Sequence, residues 1–483
     1  MVETLKNYIN GEWVSSLGTE SLDVDNPATG ELTSKVPVGV KADVDAAVAA
    51  AKEAFPAWAA IPPVQRARYL FKFKTLLEEH KSELALLCTK DHGKTIAESE
   101  SDVGRGIENV EHACGIPTLM MSDFLEDIAG GIDCHSARQP LGVFAAITPF
   151  NFPPMVPFWF LPYAIATGNT FVLKTSEQVP DTWMRIMELL EQTGLPKGVV
   201  NLIHGAREVV ETIVNHDDIE GVSFVGSTKV AKTVYEACGK TGKRVQSLGG
   251  AKNHLVVMPD AVMKPSVQNL SDSAYGCAGQ RCLAASVAVA VGDAYEPMKK
   301  MLIQAVKDIK MGDGSKDGVT LGPVISKAAK ERILMMVEKG VSEGAELLVD
   351  RRNEVPAGLE GGHWVGPVLF DKVQPGCTIA TEEIFGPVLS IIQVDTLDEA
   401  IALTNSSRYG NATSIYTSSG KAARQYRKEA APAMLGVNIG VAAPMAFFPF
   451  GGSKDSFFGD VKAHGRDSVS FYTDRKVSIE RWF

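Results

Sequence analysis

Several common signatures are missing from this 483-residue sequence, and each absence narrows the reading. Its seven cysteines, at positions 88, 114, 134, 238, 277, 282 and 377, form no CxxC pair and show no His/Cys ligand spacing. A disulfide framework and a metal centre are therefore not expected, and the scattered thiols read as reduced, in a cytosol-like compartment. No block of like charges occurs and the formal net charge is −10, which argues against a general nucleic-acid binder. The opening segment MVETLKNYINGEW has neither a basic stretch followed by an apolar core nor an Arg- and Ser-rich composition, so a cytoplasmic location is expected. There is no internal repeat and no low-complexity linker. The expected partner is a small molecule.

One long uncharged run is present, FPPMVPFWFLPYAIATGNTFVL from Phe152 to Leu173. Its length suits a membrane span, but four prolines, Gly168 and Asn169 interrupt it and no basic flank follows. The run is read as a helix buried between a sheet and another domain, followed by a buried strand, with no membrane insertion.

The length suggests about three domains or subdomains. Short alternating segments in residues 1–36 predict small surface strands, and Lys41 to Lys90 has helical spacing broken at Pro62 and Pro63. A further helix carries Arg105. Residues 119–139 lose that period and predict a β excursion. From GVFAAIT onward, strands of four to seven residues alternate with helices, which indicates a parallel sheet with ligands at the carboxyl ends of its strands. The usual GxGxxG fingerprint is missing. In its place SFVGSTKVAKTVYEA ends a strand at Gly226 and Ser227 and opens a helix, where free N–H groups and the helix dipole favour a phosphate. A second α/β unit runs from about Lys252 to Met445, and the terminal SFYTDRKVSIERWF alternates like a strand.

The segment YGCAGQRCLAA, Tyr275 to Ala285, places Cys282 among small residues before an apolar run read as a strand. A thiolate is the attacking species in cysteine chemistry, and Arg281 beside the thiol is expected to favour the anion. The competing reading is a buried structural cysteine.

Six motifs in order resemble the NAD(P)-dependent aldehyde dehydrogenase superfamily across essentially the whole chain. They are ITPFNFP (147–153), FVLKTSEQVP (171–180), FVGST (224–228), GQRC (279–282), EEIFGPV (382–388) and PFGGSKDS (449–456). The resemblance implies that fold: a Rossmann-like NAD-binding domain (1–118 and 140–249), an α/β catalytic domain (250–445) and a small β oligomerisation element (119–139 and 464–483). It implies Cys282 as nucleophile and the Asn151 amide, with the Cys282 N–H, as oxyanion donors. Phe150, Lys174, Glu177, Gly226, Ser227, Glu383 and Phe385 are the implied cofactor contacts. Glu177 close after Lys174 disfavours a 2′-phosphate, so NAD is expected rather than NADP.

Hydrolytic members carry a glutamate before a Leu-Gly-Gly motif. Here the stretch is VQSLGGAKNH (245–254), in which Ser247 is read at that position, and a serine is a poor general base. The wording resembles the methylmalonate-semialdehyde dehydrogenase family, whose acyl acceptor is coenzyme A. Arg105 and Arg281 match that family's carboxylate-binding pair, and planar guanidinium groups suit such contacts. The implied reaction oxidises malonate or methylmalonate semialdehyde with decarboxylation to acetyl-CoA or propionyl-CoA. A homotetramer built from dimers is likewise implied. Two alternatives stay open: a hydrolytic semialdehyde dehydrogenase giving a free acid, and a non-catalytic redox-sensing protein on the same fold.

Overall fold

Strand–helix alternation beyond residue 140 folds as a sheet covered on both faces. The computed structural model describes residues 2–483. Five parallel strands form the middle of the first sheet, in the order Val200–Ile203, Thr170–Lys174, Val143–Ile147, Ile219–Val225 and Arg244–Leu248. The hairpin Asn7–Ile9/Glu12–Val14 extends one edge, and the short strand Phe457–Phe458 closes the other antiparallel edge. The residues 1–36 strands are thus partly a sheet extension.

The central strand explains the layering. All five residues of Val143–Ile147 are buried, as expected of a parallel strand with helices on both sides. Val143, Ala145 and Ile147 join one apolar cluster with helices Lys41–Ala59, Arg207–Asn215 and Thr228–Lys240. Phe144 and Ala146 point the other way, into the cluster formed with helices Pro63–Glu79, Ile96–Cys114 and Asp181–Glu191. This period of two comes directly from strand geometry. Strand order reverses at Val143–Ile147, so the crevice of a doubly wound sheet opens at its carboxyl end.

The uncharged run lies inside the second of these layers. It is two short helices, Met155–Phe158 and Leu161–Thr167, rather than one, followed by the buried strand Thr170–Lys174. Prolines at 157 and 162 lack the N–H that a continuous helix needs, and the chain breaks between them, where Phe160 has φ −120° and ψ −58°. Gly168, at φ 103°, turns the chain into the strand. No helix among the described residues is long and apolar enough to cross a membrane.

A second sheet has the order Glu346–Asp350, Val368–Asp371, Val388–Val394, Ala285–Val291, Asn253–Val257, Ala412–Tyr416 and Met434–Val437. It is parallel apart from its first strand. A three-stranded antiparallel sheet joins Phe124–Ala129, Ile132–Pro140 and the terminal Thr473–Arg481. Its apolar side chains Phe124, Leu125, Val477 and Ile479 are exposed.

Asn169 ties this small sheet to the first one. Its Oδ1 accepts from the N–H groups of Leu141 and Gly142 at 2.7 and 3.1 Å, and its Nδ2 donates to Tyr472 O at 2.7 Å. Asn169→Ala strands these buried backbone groups, each worth about 1–3 kcal/mol. We expect the variant to lose about 3 kcal/mol or more of stability, read as a fall in urea midpoint; an unchanged midpoint contradicts this role.

Candidate active site

Cys282 lies in the turn that leads into strand Ala285–Val291. Its carbonyl accepts from two side-chain amides, Asn253 Nδ2 and Asn411 Nδ2, each at 2.9 Å. Asn253 continues the clamp to Ala284 O at 2.9 Å and accepts from Ala412 N at 3.1 Å. The Cys282 backbone is therefore fixed to the ends of neighbouring strands. Neither asparagine stands out in the sequence, because their partners are distant main-chain carbonyls.

The approach to Cys282 is made of consecutive left-handed residues, Cys277 (φ 50°), Ala278 (φ 52°) and Gly279 (φ 69°). Glycine is required at the last: a Cβ on Gly279 would lie 2.0 Å from Gly386 O. This close approach seats the cysteine turn on the loop that carries Glu383 and Phe385.

Cys282 opens into a cavity of about 410 Å³ whose wall includes Arg105, Arg281, Trp159, Phe450 and His464. Sequence-distant residues meet here as expected, with one correction. Arg281 does not support the Cys282 thiolate. Its Nη2 donates to Glu98 Oε1 at 2.8 Å, and its charge acts on Cys277 instead. Burial, with the carboxylate of Glu383 adding to it, pushes the Cys282 thiol up to about 12. Glu98 also accepts from Cys277 N at 2.7 Å, so it braces both the turn and the arginine. Arg105 is half-buried on helix Ile96–Cys114 and pairs with Glu108 at 2.7 Å.

Ser247 requires a second correction. Its Oγ donates to Ala231 O at 2.8 Å, under the helix on the other face of the sheet. The next residue, Leu248, belongs to the apolar cluster against which Cys282 packs. Strand alternation thus presents a leucine on that side, which is no base at all. The two carboxylates lining the cavity, Glu98 and Asp102, are each paired to a cation, Arg281 and Lys94.

Asn151 sits in the loop after strand Val143–Ile147, and its Nδ2 donates to Gln280 O at 3.0 Å. A primary amide has two N–H groups, so one remains for a ligand oxygen. Phe150 and Phe385 meet edge to face with centroids 5.8 Å apart, and Phe385 holds a left-handed φ of 54°.

The cofactor candidates collect at the switch-point crevice. Lys174 ends its strand in register with Ile147, and its Nζ donates to Glu177 at 2.7 Å. Burial raises the Glu177 carboxyl, but the Lys174 charge and hydrogen bond outweigh it and hold the acid below its ordinary value. Gly226 and Ser227 follow strand Ile219–Val225 at the start of helix Thr228–Lys240. The Ser227 side chain makes no capping bond, so first-turn N–H groups stay free for an anion, which is the fit a pyrophosphate needs. Thr228 Oγ1 accepts from Gly250 N at 2.8 Å, and Glu383 accepts from Ala251 N at 3.0 Å. The phosphate seat and Glu383 therefore flank one loop. Burial raises the Glu383 carboxyl to about 7.

Two further polar groups escaped the sequence reading. Lys252 is buried beside this loop, has no hydrogen-bond partner within the protein, and is lowered by burial to about 8. His464 is buried between Trp159 and Phe450 with both ring nitrogens unpartnered, and burial holds it neutral. Only their burial marks them out. Among the described residues no three His, Cys, Asp or Glu side chains come together as metal ligands.

A cysteine facing a cavity, the Asn151 amide bonded to Gln280 O two residues before that cysteine, and the crevice of a doubly wound sheet are the elements an aldehyde-oxidising class requires. The aldehyde dehydrogenase family profile matches residues 13–478, and the chain belongs to that family. It is 52% identical over 479 residues to malonate-semialdehyde dehydrogenase 2 of Geobacillus thermodenitrificans (strain NG80-2), covering 99% of each chain. A protein described as a methylmalonate-semialdehyde dehydrogenase from Sinorhizobium meliloti 1021, solved with NAD, superposes with a TM-score of 0.98 at 43% identity, over 100% of this chain and 98% of that one. The corresponding enzyme of Oceanimonas doudoroffii gives 0.97 at 44% identity, over 100% and 99%. The α/β aldehyde dehydrogenase fold is therefore established.

The raised thiol has a direct consequence. A thiol that titrates near 12 is almost wholly protonated at pH 7, and its thiolate fraction rises tenfold per pH unit until that value is approached. Alkylation of Cys282 by iodoacetamide, in the protein without cofactor, should be slow at pH 7 and climb steadily to pH 10. Glu383→Gln removes the nearby negative charge and should speed it at fixed pH. A rate already level at pH 8 contradicts the raised thiol.

Proposed function

We propose that this chain is a cytoplasmic NAD-dependent, CoA-acylating dehydrogenase of malonate or methylmalonate semialdehyde. One observation carries the reading: Cys282 shares its cavity with Arg105 and Arg281, and the two carboxylates in that wall, Glu98 and Asp102, are each bound to a cation. The relatives named for these semialdehydes support it.

In this reading the substrate carboxylate sits against the guanidinium groups. Arg281 spends one edge on Glu98, and its Nη1 has only a 3.4 Å contact with Asp272 O, so donors remain. Cys282 Sγ, its proton given up to solvent water, bonds to the aldehyde carbon, and the carbonyl π pair moves onto oxygen. The resulting alkoxide takes hydrogen bonds from the second Asn151 N–H and the Cys282 N–H, each donor worth about 2.7–4 kcal/mol to the barrier. NAD, when bound, accepts the hydride. Lys174 and Glu383 hold ribose hydroxyls, Gly226 and Ser227 the pyrophosphate, Phe150 and Phe385 the nicotinamide side, and Glu177 discourages a 2′-phosphate. The carboxylate of the Cys282 thioester leaves as carbon dioxide, its electron pair passes to the α-carbon, and that carbon takes a proton. With both cavity-wall carboxylates held by cations, water finds no base there, and the thioester waits for the CoA thiolate, which forms the new C–S bond as Cys282 leaves.

Residues 1–118 and 140–249 are assigned to NAD binding, 250–445 to catalysis, and 119–139 with 464–483 to assembly as a dimer of dimers. Exposed Phe124, Leu125, Val477 and Ile479 suit burial against a second copy.

NADH formation from malonate semialdehyde should run to many turnovers only with CoA, with acetyl-CoA found by mass spectrometry. Equal turnover without CoA, with a free acid as product, selects the hydrolytic alternative. Arg281→Leu should raise KM for malonate semialdehyde by about 10- to 100-fold, the value of a buried charge-assisted contact, and spare propanal. An equal loss on both aldehydes removes Arg281 from substrate recognition.

A further inference from the structure

Asn151 stands in a loop poor in backbone bonds of its own; Val156 N donates to Phe152 O at 3.2 Å. Pro149, Pro153 and Pro154 flank it and have no N–H to donate, so the loop's carbonyls must find donors elsewhere. Two side chains supply them. Trp183 Nε1 donates to Pro153 O at 2.5 Å, and Lys94 Nζ donates to Asn151 O at 2.7 Å. The same ammonium donates to Asp102 Oδ2 at 2.8 Å and lies 4.3 Å from the centre of the Phe152 ring. Asp102 in turn uses Oδ1 to accept from Met155 N at 3.0 Å, at the far end of the loop. Lys94 and Asp102 have fully buried side chains. Burial opposes the Lys94 cation, Asp102 leads the groups that favour it, and on balance the lysine stays charged.

A buried ion pair is a poor device for stability, since apolar residues of similar volume often serve as well or better. This pair instead spans the loop that carries Asn151, from its carbonyl at one end to Met155 at the other. We propose that Lys94 and Asp102 are positioning residues that hold the Asn151 amide at the place where the alkoxide on the Cys282-bound substrate forms. The inference rests on Asn151 being the oxyanion donor. Lys94 acts through the Asn151 carbonyl and touches no reacting atom. Its ammonium restrains the backbone, while the side-chain amide is set by its bond to Gln280 O at 3.0 Å.

The test is a double-mutant cycle on the full chain, read as the single-turnover rate of NADH formation with saturating NAD and malonate semialdehyde. Lys94→Met with Asp102→Leu removes both charges together and leaves no unpaired ion. A small displacement of such a group costs on the order of 100-fold in rate. The pair variant should lose about that much in rate, with KM for the aldehyde and the Kd for NAD within about twofold of the parent. Asn151→Ala alone should lose about 100- to 1,000-fold. The triple variant should be no slower than Asn151→Ala, because the pair acts only through Asn151. A parental rate in the pair variant overturns the proposal, and so does a triple variant whose losses multiply, which marks a general structural effect. A parental rate in Asn151→Ala overturns the oxyanion reading itself, and the proposal falls with it. If the pair variant does not fold, Lys94→Gln with Asp102→Asn replaces it in the same cycle, with the same three outcomes.

Discussion

The site depends first on the clamp that holds the Cys282 carbonyl. Two amide side chains reach it from the starts of adjacent strands, Asn253 and Asn411, and Asn253 extends the grip to Ala284 and Ala412. A nucleophile in a turn is otherwise free to shift by an ångström, which is enough to cost much of a positioned reaction. Gly279 adds a contact that no other residue permits, against the Gly386 carbonyl, and so fixes the cysteine turn relative to Glu383 and Phe385. The Cys282 turn and the loop of Glu383 and Phe385 are related by this steric contact.

Charge in the cavity is arranged in pairs. Glu98 is matched by Arg281 and Asp102 by Lys94, and the arginine's Nη1 makes a long contact of 3.4 Å with Asp272 O. An unpaired carboxylate near Cys282 would repel a substrate carboxylate and would offer water a base. Pairing removes both effects at the cavity wall, where cationic surface remains; the unpaired Glu383 is turned to the Ala251 N–H outside that wall. The same enclosure keeps the Cys282 thiol neutral until a ligand changes its surroundings, since burial disfavours the thiolate and Glu383 opposes it further. In a cavity walled by Trp159 and Phe450, hydrogen bonds to a developing alkoxide act in a low-dielectric setting, where they are strongest.

Much of this was legible in the chain. The strand–helix alternation after residue 140, the helices with Pro62 and Pro63 between them, the 119–139 excursion and the terminal strand are all visible as periodicity, because side-chain direction repeats every two or 3.6 residues. Cys282, Asn151, Lys174, Gly226 and Glu383 stood out because their motifs are local and ordered. The one long helix expected in the uncharged run became two, since propensity and length do not reveal where prolines break a buried segment.

What the sequence could not supply was direction in space. Arg281 is next to Cys282 along the chain, yet its guanidinium turns to Glu98, which lies 183 positions away in sequence. Ser247 and Leu248 are neighbours, and only the pleat decides which of them shares the apolar cluster with the nucleophile. Lys94, Asp102, Asn253 and Asn411 carry no motif, because each acts on a main-chain carbonyl or on a partner brought near by folding alone. The amino-acid sequence by itself determined the class of fold and singled out Cys282 and the motifs that surround it. Tertiary structure decided which charges are paired, which donors remain free and how the Asn151 loop is held, since those depend on distances between segments that chain order does not encode.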